Sequence, residues 1–482
     1  MMEPMTEPPT APMPWPVERL VAQLGRWSAR RGPLYLLLAE RLRELIDSGQ
    51  LPPRASLPPD RVLAERLAVG RTTVVAAYER LRQERKVLRH QGRGTWVAPA
   101  VLGVRPGAVP MANPLFVSYL EPLDGVVPLA CTAPHGPPPE LAEAYRKAVE
   151  RLPGPDSGDI GYHPKGHPAL RKALADRYTD KGIPTSPEQI LVTTGGQQAL
   201  ALIARLFVGP GDAVVVQAPT YPGALELFRD AAAVLKPTDD VTKALGERPR
   251  LAYVNPTNHN PTGTTMSTLA RRRLVEVATE HGVPLIDDAV LEGLSFNEDE
   301  PPGLAEFGSV ITVGSFTKTV WGGLRTGWVR ASVEDIAQLS RIKAIHDLGS
   351  AALDQLALVE LLPHLDEVAK RRARELKKRH DHLCAELHRL VPDWRYDRAD
   401  GGQCLWVRLP TGDASAFAQV ALRYGVAVLP GTALGGAKDR LRIPFTAPNE
   451  EITEAITRAA EAWNAYLTMA NHSPASVHAI VV

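Results

Sequence analysis

The feature that most constrains this chain is a run of alternating patterns between Ile190 and Phe316. Short apolar stretches, "ILVTT", "AVVVQAP", "LAYV", "VPLIDDA" and "VITVGSF", are separated by longer amphipathic ones such as "QQALALIARLFV", "GALELFRDAAA" and "LARRRLVEVATE". Strand-length runs alternating with helix-length patterns predict an α/β fold, with a mainly parallel sheet and flanking helices on both faces. A sheet of that kind takes its ligand at the carboxyl ends of the strands, where loops and helix N-termini meet. "TTGGQQAL" falls at such a place, so the backbone N–H groups of Gly196 and Gln197 are candidates to cradle a phosphate. A glycine pair by itself is weak evidence and more often marks a plain turn.

The remaining sequence must supply more than this one sheet. At 482 residues the chain is long enough for about three domains. Its 55 Lys and Arg nearly cancel its 54 Asp and Glu, so any charge argument is local. Between Arg61 and Gly94 nine Arg or Lys face only three Glu, an excess of six positive charges. The cysteines, Cys131, Cys384 and Cys404, are far apart and form no CxxC, which fits packing roles in a reducing cytoplasm; no metal site is expected. The N-terminus is rich in proline and glutamate where a signal peptide needs a basic segment and an apolar core, and no apolar run reaches about 18 residues. A cytoplasmic protein with no membrane partner is expected. Residues 1–16 read as a mobile tail, and "APAVLGVRPGAVPMANP" reads as a linker.

The basic segment has its own pattern. "LYLLLAERLRELIDSG" carries leucines on one helical face and stops at Gly49. A second helix begins after Pro58-Pro59, Val69-Gly70 makes a turn, and "RTTVVAAYERLRQER" forms a third helix that buries Val74, Tyr78 and Leu81. "KVLRH" and "TWVA" flank the turn "QGRG" as two short strands. Three helices and a basic hairpin make a winged helix-turn-helix, which presents the N-terminus of its recognition helix to the DNA major groove.

The run from "LPPDRVLAERLAVGRTTVVAAYERL" to "GRGTWV" resembles the GntR family of bacterial regulators. That resemblance implies that Arg61 and Arg71 contact phosphate or base edges, that Thr72 and Thr73 bind backbone phosphates, and that Gln91, Gly92 and Arg93 form the wing. Double-stranded operator DNA is the implied partner. Two residues depart from the family pattern: Gly70 replaces a usual Ser or Thr, and Arg85 replaces a usual glycine before the wing.

Further along, "YVNPTNHNPTG", "LIDDAVLEGLSF" and "GSFTKTVWGGLRTGW" occur in order. Singly, Lys318 is an ordinary surface lysine, Asp288 a strand-end cap and Asn260 a turn residue. Together they resemble the fold-type I pyridoxal-phosphate enzymes of the aminotransferase superfamily, over most of residues 115–465. The resemblance implies pyridoxal 5′-phosphate (PLP) as cofactor and gives Lys318 the Schiff-base role. It places Ser315 and Arg325 on the phosphate, Asp288 on the pyridine nitrogen, Asn260 on the ring oxygen and Tyr221 against the ring face. It also implies that Tyr162 reaches the phosphate of a neighbouring subunit, hence a homodimer, and that Arg442 grips a carboxylate. Leu291 stands where many of these enzymes have a tyrosine that tunes the cofactor.

A GntR-type head joined to such a domain resembles the MocR/GabR subfamily of transcriptional regulators. The implied organisation is a tail (1–16), a winged helix-turn-helix (17–98), a linker (99–114), a PLP-binding large domain (115–360), a small C-terminal domain of α+β type (361–468) and a tail (469–482). The implied function is regulation by an amino compound or B6 vitamer sensed at the PLP site, with absent or vestigial aminotransferase activity. The alternative is an active aminotransferase with an accessory DNA-binding domain.

Overall fold

The computed structural model describes residues 13–472 apart from 30–31, 85, 91–93, 99–124, 135, 155 and 298. Contacts group these residues into two units, one holding residues up to 129 with 411–429 and the segment from 457 onward, the other holding 130–410 and 430–456. These groupings cut across the boundaries expected from the sequence, because segments 411–429 and 457 onward join the N-terminal unit.

In the first unit, α1 (Val17–Leu24), α2 (Leu34–Asp47), α3 (Asp60–Leu67) and α4 (Arg71–Gln83) share one apolar core. Helix α4 buries Val74, Ala77, Tyr78 and Leu81, the i, i+3, i+4, i+7 stripe of a helix packed on one side. The Tyr78 hydroxyl, carried inward with that stripe, donates to the Pro58 carbonyl at 2.9 Å and so fixes α4 against the entry to α3. Strands β1 (Met13–Pro14), β2 (Ala55–Leu57), β3 (Val87–His90) and β4 (Gly94–Val97) form a sheet in the order β1-β2-β4-β3, with β3 and β4 as the antiparallel wing.

Helix α1 and strand β1 go beyond what the sequence predicts. Residues 13–16 fall in the expected tail, yet β1 runs parallel to β2, and Trp15 packs on the head's core and donates its indole N–H to Gln23 at 3.2 Å. Proline content argues against regular structure, but one tryptophan beside an apolar core is enough to fasten a short edge strand. At the other end the helix Asn449–His472 runs four residues into the expected tail, 469–482, and the remaining expected tail and linker residues, 1–12, 99–114 and 473–482, lie outside the described residues.

The same unit contains the helix Ala414–Arg423 and two parallel strands, β5 (Val127–Leu129) and β15 (Val426–Pro430). Helix α3 ends at Ala68 in the left-handed conformation, which leaves its last carbonyls without intrahelical donors. Arg423 supplies those donors, reaching Ala68 O at 2.8 Å and Leu67 O at 3.4 Å, and Arg66 pairs with Asp413 at 3.2 Å.

The second unit is built on a seven-stranded sheet. Its strands are β6 (Ile190–Thr193), β7 (Ala213–Gln217), β8 (Val234–Thr238), β9 (Leu251–Val254), β10 (Leu285–Asp288), β11 (Ile311–Ser315) and β12 (Gly327–Arg330), in the order β6-β12-β11-β10-β9-β7-β8. All neighbours run parallel except β12, which is antiparallel to both β11 and β6. Because β12 runs backwards, its first residue, Gly327, lies opposite the last residues of β6 and β11, Thr193 and Ser315. Strand β10 ends at Asp288, beside Val313 of β11. The carboxyl ends of β6, β10 and β11 therefore meet at one edge of the sheet, where this architecture places ligands. An antiparallel trio, β13 (Arg395–Tyr396), β14 (Cys404–Arg408) and β16 (Arg440–Pro444), also belongs to this unit and places Trp406 opposite Arg442. Among the described residues no helix is long and apolar enough to cross a membrane.

Candidate functional site

Around the strand ends the sequence places glycine wherever backbones must approach closely. Gly195 has φ +91°, and a Cβ there would come within 2.9 Å of the Arg325 guanidinium. A Cβ on Gly327 would meet Gly314 O at 2.7 Å and the Gly195 backbone at 2.9 Å. These two positions admit no side chain, so the start of the helix Gly196–Phe207 can lie directly against β12. The first N–H groups of that helix, at Gly196 and Gln197, have no intrahelical acceptor and carry the positive end of its dipole. Ser315, whose hydroxyl is 2.9 Å from Thr317 Oγ1, and Arg325, which donates to Thr194 O at 2.8 Å, line the same pocket. Backbone donors, hydroxyls and a guanidinium in one cradle form a donor set suited to a phosphate.

Lys318 follows from β11 into the pocket. Its Nζ donates to Thr132, lying 3.0 Å from Oγ1 and 3.2 Å from the carbonyl. Burial pushes this amine down to about 8, with nearby Cys131 working the other way and Arg442 adding to the depression. Asp288 is buried at the end of β10, receiving the Tyr253 hydroxyl on one oxygen and the Val290 N–H at 3.3 Å on the other. Burial pushes its carboxyl up to about 6, against the opposing pull of the Tyr253 hydrogen bond, the Val290 N–H and the Lys318 charge. Tyr221 donates to Gln197 Oε1 at 3.0 Å and is pushed up to about 12 by burial and then by Asp288. Asn260 accepts from Arg442 at 3.2 Å and takes its backbone position from Asn255 Oδ1 at 2.7 Å.

Thus Gly196, Gln197, Tyr221, Asn260, Asp288, Ser315, Lys318 and Arg325 all line one cavity. Two residues stand outside it. Arg442 is buried behind Asn260, with its second nitrogen on Ala130 O at 2.6 Å. Tyr162 is 65% exposed and is not among the residues that line the pocket. Thr132, Tyr253, Asn255 and Gln403 are site residues that sequence reasoning does not reach. Tyr253 lies within the quoted "YVNPTN", but its partner Asp288 is 35 positions away and on another strand. Val290 and Leu291 give the pocket an apolar wall beside Asp288.

In the head, Arg61, Arg71 and Thr72 are exposed and Thr73 is half-buried, all at or before the first turn of α4. Arg71 Nε donates to Asp60 at 3.0 Å. Burial alone would raise that carboxyl, but the Arg71 hydrogen bond and charge hold it below its ordinary value. Gln91, Gly92 and Arg93 lie outside the described residues.

The family model "Aminotransferase class I and II" matches residues 132–458, more than half the chain. The chain belongs to the aminotransferase class I and II family. A second model, "Bacterial regulatory proteins, gntR family", matches residues 34–97, so this aminotransferase domain carries a GntR-type DNA-binding head. Both matches recur together in regulators of the same architecture. The chain is 29% identical over 478 residues to the "Uncharacterized HTH-type transcriptional regulator YisV" of Bacillus subtilis, covering 91% of this chain and 98% of that one. It is 29% identical over 405 residues to the "Probable rhizopine catabolism regulatory protein MocR" of Rhizobium meliloti, covering 78% and 82%. Among solved structures, LysN, the α-aminoadipate aminotransferase of Thermus thermophilus, matches with a TM-score of 0.65 at 30% identity, over 72% of this chain and 94% of that one. The architecture is that of the MocR-type regulators, and the cofactor of the aminotransferase domain is PLP, which the cradle, Lys318 and Asp288 fit.

Proposed function

We propose that this chain is a PLP-dependent bacterial transcriptional regulator whose aminotransferase-like pocket senses a small amino compound or a B6 vitamer. The carrying observation is a cofactor pocket with Lys318, Asp288 and the phosphate cradle all in place, in one chain with a recognition helix whose Arg71 and Thr72 are exposed. Bound there, PLP supplies a carbonyl that condenses with amines and a pyridine ring that draws electrons when protonated. The protein's part is positioning and proton control. Thr132 holds the Lys318 amine, and Asp288, buried and hydrogen-bonded by the Tyr253 hydroxyl, would hold a proton at the ring nitrogen. An amino-acid effector would direct its carboxylate toward Arg442, whose fork is oriented by Asn260 and the Ala130 carbonyl. Exposed Tyr162 is suited to reach the pocket of a second copy, so the sensing unit is a homodimer.

Effector binding shifts the DNA-bound population only if it favours one dimer arrangement over another. The intact pocket and the 30% identity to an aminotransferase of known structure also favour a second reading, an active enzyme with an accessory head. Both are tested by titrating operator DNA with and without candidate amino acids in the parent and in Arg442→Lys, alongside steady-state transamination with a keto-acid acceptor. The regulator reading expects DNA binding to respond in the parent and a carboxylate effector to weaken by about 1 to 3 kcal/mol in Arg442→Lys. Rapid multiple turnover with no effect on DNA binding would overturn it in favour of the enzyme.

A further inference from the structure

The segment "SGDIGYHPKGH" winds through consecutive turns that the PLP pocket does not explain. The Asp159 N–H donates to Ser157 Oγ (3.2 Å) and its Oδ1 accepts from the Gly161 N–H at 2.7 Å, while the Gly166 N–H closes a turn on His163 O at 2.8 Å. These turns bring three side chains together. Asp159 Oδ2 is 3.4 Å from His163 Nε2, and the His163 and His167 rings meet edge to face at 5.0 Å between centroids. One ligand atom from each of Asp159, His163 and His167 lies within 4.8 Å of the others. His163 Nε2 is out of contact with solvent and faces Asp159 Oδ2 without a hydrogen bond between them, an arrangement that an ion shared by the two would satisfy.

The geometry points to a divalent transition-metal site formed by Asp159, His163 and His167. Two imidazoles and a carboxylate suit zinc and neighbouring late first-row ions rather than magnesium or calcium, which prefer all-oxygen shells. Metal–ligand bonds of about 2.0 to 2.2 Å put tetrahedral ligand atoms roughly 3.3 Å apart, so the Asp159–His163 pair already has the needed separation and the His167 ring must close in. Three protein ligands leave a position for water. His167 also caps the helix Pro168–Asp180 by accepting the Ala169 N–H at Nδ1, 3.2 Å away. Whichever of its nitrogens binds the ion, that cap is released: Nδ1 is either used by the metal or carries the ring proton. Arg151, whose charge bears on His167, has its guanidinium held by Glu360. The site is independent of the regulator reading.

The test uses the tag-free, PLP-loaded full chain, stripped with a chelator and titrated with Zn2+ against a chromophoric competitor. One equivalent is expected to bind, with affinity falling in Asp159→Asn and His163→Ala by more than the roughly 10- to 100-fold that loss of an outer-shell partner costs. Asp159→Asn keeps Oδ1 for the Gly161 N–H and so preserves the turn; PLP absorbance reports that each variant is folded, and if His163→Ala loses it, Asp159→Asn decides. Hydrogen exchange at the Ala169 amide should quicken when Zn2+ binds the parent. No uptake by the parent, equal affinity in Asp159→Asn, or an unchanged Ala169 amide at saturation would each overturn the three-ligand site. Zinc held instead by the free cysteines would be untouched by these variants and would count against it.

Discussion

The depressed amine of Lys318 makes a quantitative prediction about the cofactor-free protein. A lysine's ordinary value is 10.5, whereas burial, with Arg442 nearby, brings Lys318 down to about 8. At pH 7 an ordinary lysine is neutral in about 0.03% of molecules and Lys318 in about 9%, a difference of roughly 300-fold in the nucleophilic form. The apoprotein, exposed to a small amine-reactive acylating reagent and digested for mass spectrometry, should therefore modify Lys318 ahead of the other lysines. Its rate should climb about tenfold per pH unit below 8 and level off above it. The linkage has a definite sign. The native amine holds its proton less tightly than the unfolded one, so unfolding takes up a proton between about pH 8 and 10.5 and stability of the apoprotein from this group rises with pH across that window. A modification midpoint near 10.5, or faster labelling of another lysine, would refute the argument that the pocket itself activates this residue.

Three further outcomes are expected. Arg71→Ala should weaken operator binding and reduce the slope of log affinity against log salt by about 1, with PLP absorbance unchanged; an unchanged slope would mean α4 does not lie on phosphate. Tyr253→Phe removes a donor from buried Asp288 and should lower apoprotein stability by about 1 to 3 kcal/mol at pH above 6, measured by urea unfolding, with a smaller loss at pH 4 where the carboxyl is protonated. Gly327→Ala forces backbone apart at Gly314 and Gly195 and should destabilise the second unit by about 1 to 3 kcal/mol while impairing PLP retention; a variant that still retains PLP at the parent's affinity would show the cradle to be more yielding than its packing implies.

The parts of this fold that could be read from sequence share a physical cause. Strands β6, β9, β10 and β11 are buried along their whole length, so they appear as continuous apolar runs between amphipathic helices. Edge strand β8, "VLKPT", is largely exposed and carries lysine and proline, and it leaves no such signal. Strand β12 is short and begins inside the glycine-rich "GGLRTG", where periodicity is absent. The pocket residues that could be named in advance sit in compact motifs at strand ends. Thr132 could not, because its contact with Lys318 spans 186 positions, and nothing local marks a threonine as an amine acceptor. For the same reason the three candidate metal ligands, spaced four apart outside any helix, carry no motif until turns gather them.

The cap that Arg423 places on α3 has a consequence for how such a protein can be taken apart or recombined. The last carbonyls of the helix preceding the recognition helix are served by a side chain some 355 positions later, and Asp413 meets Arg66 from the same stretch. A shielded charge-assisted bond such as that from Arg423 to Ala68 O contributes about 1.5 to 3 kcal/mol, whereas the more exposed Arg66–Asp413 pair adds at most about 1 kcal/mol. A graft that exchanges only the first hundred residues between two relatives would thus carry a head with bare carbonyls onto a helix cut for another surface. Chimeras that also transplant residues 411–429 should keep the head's melting behaviour, and lineages that shuffle heads must shuffle that distant helix or mend it by mutation.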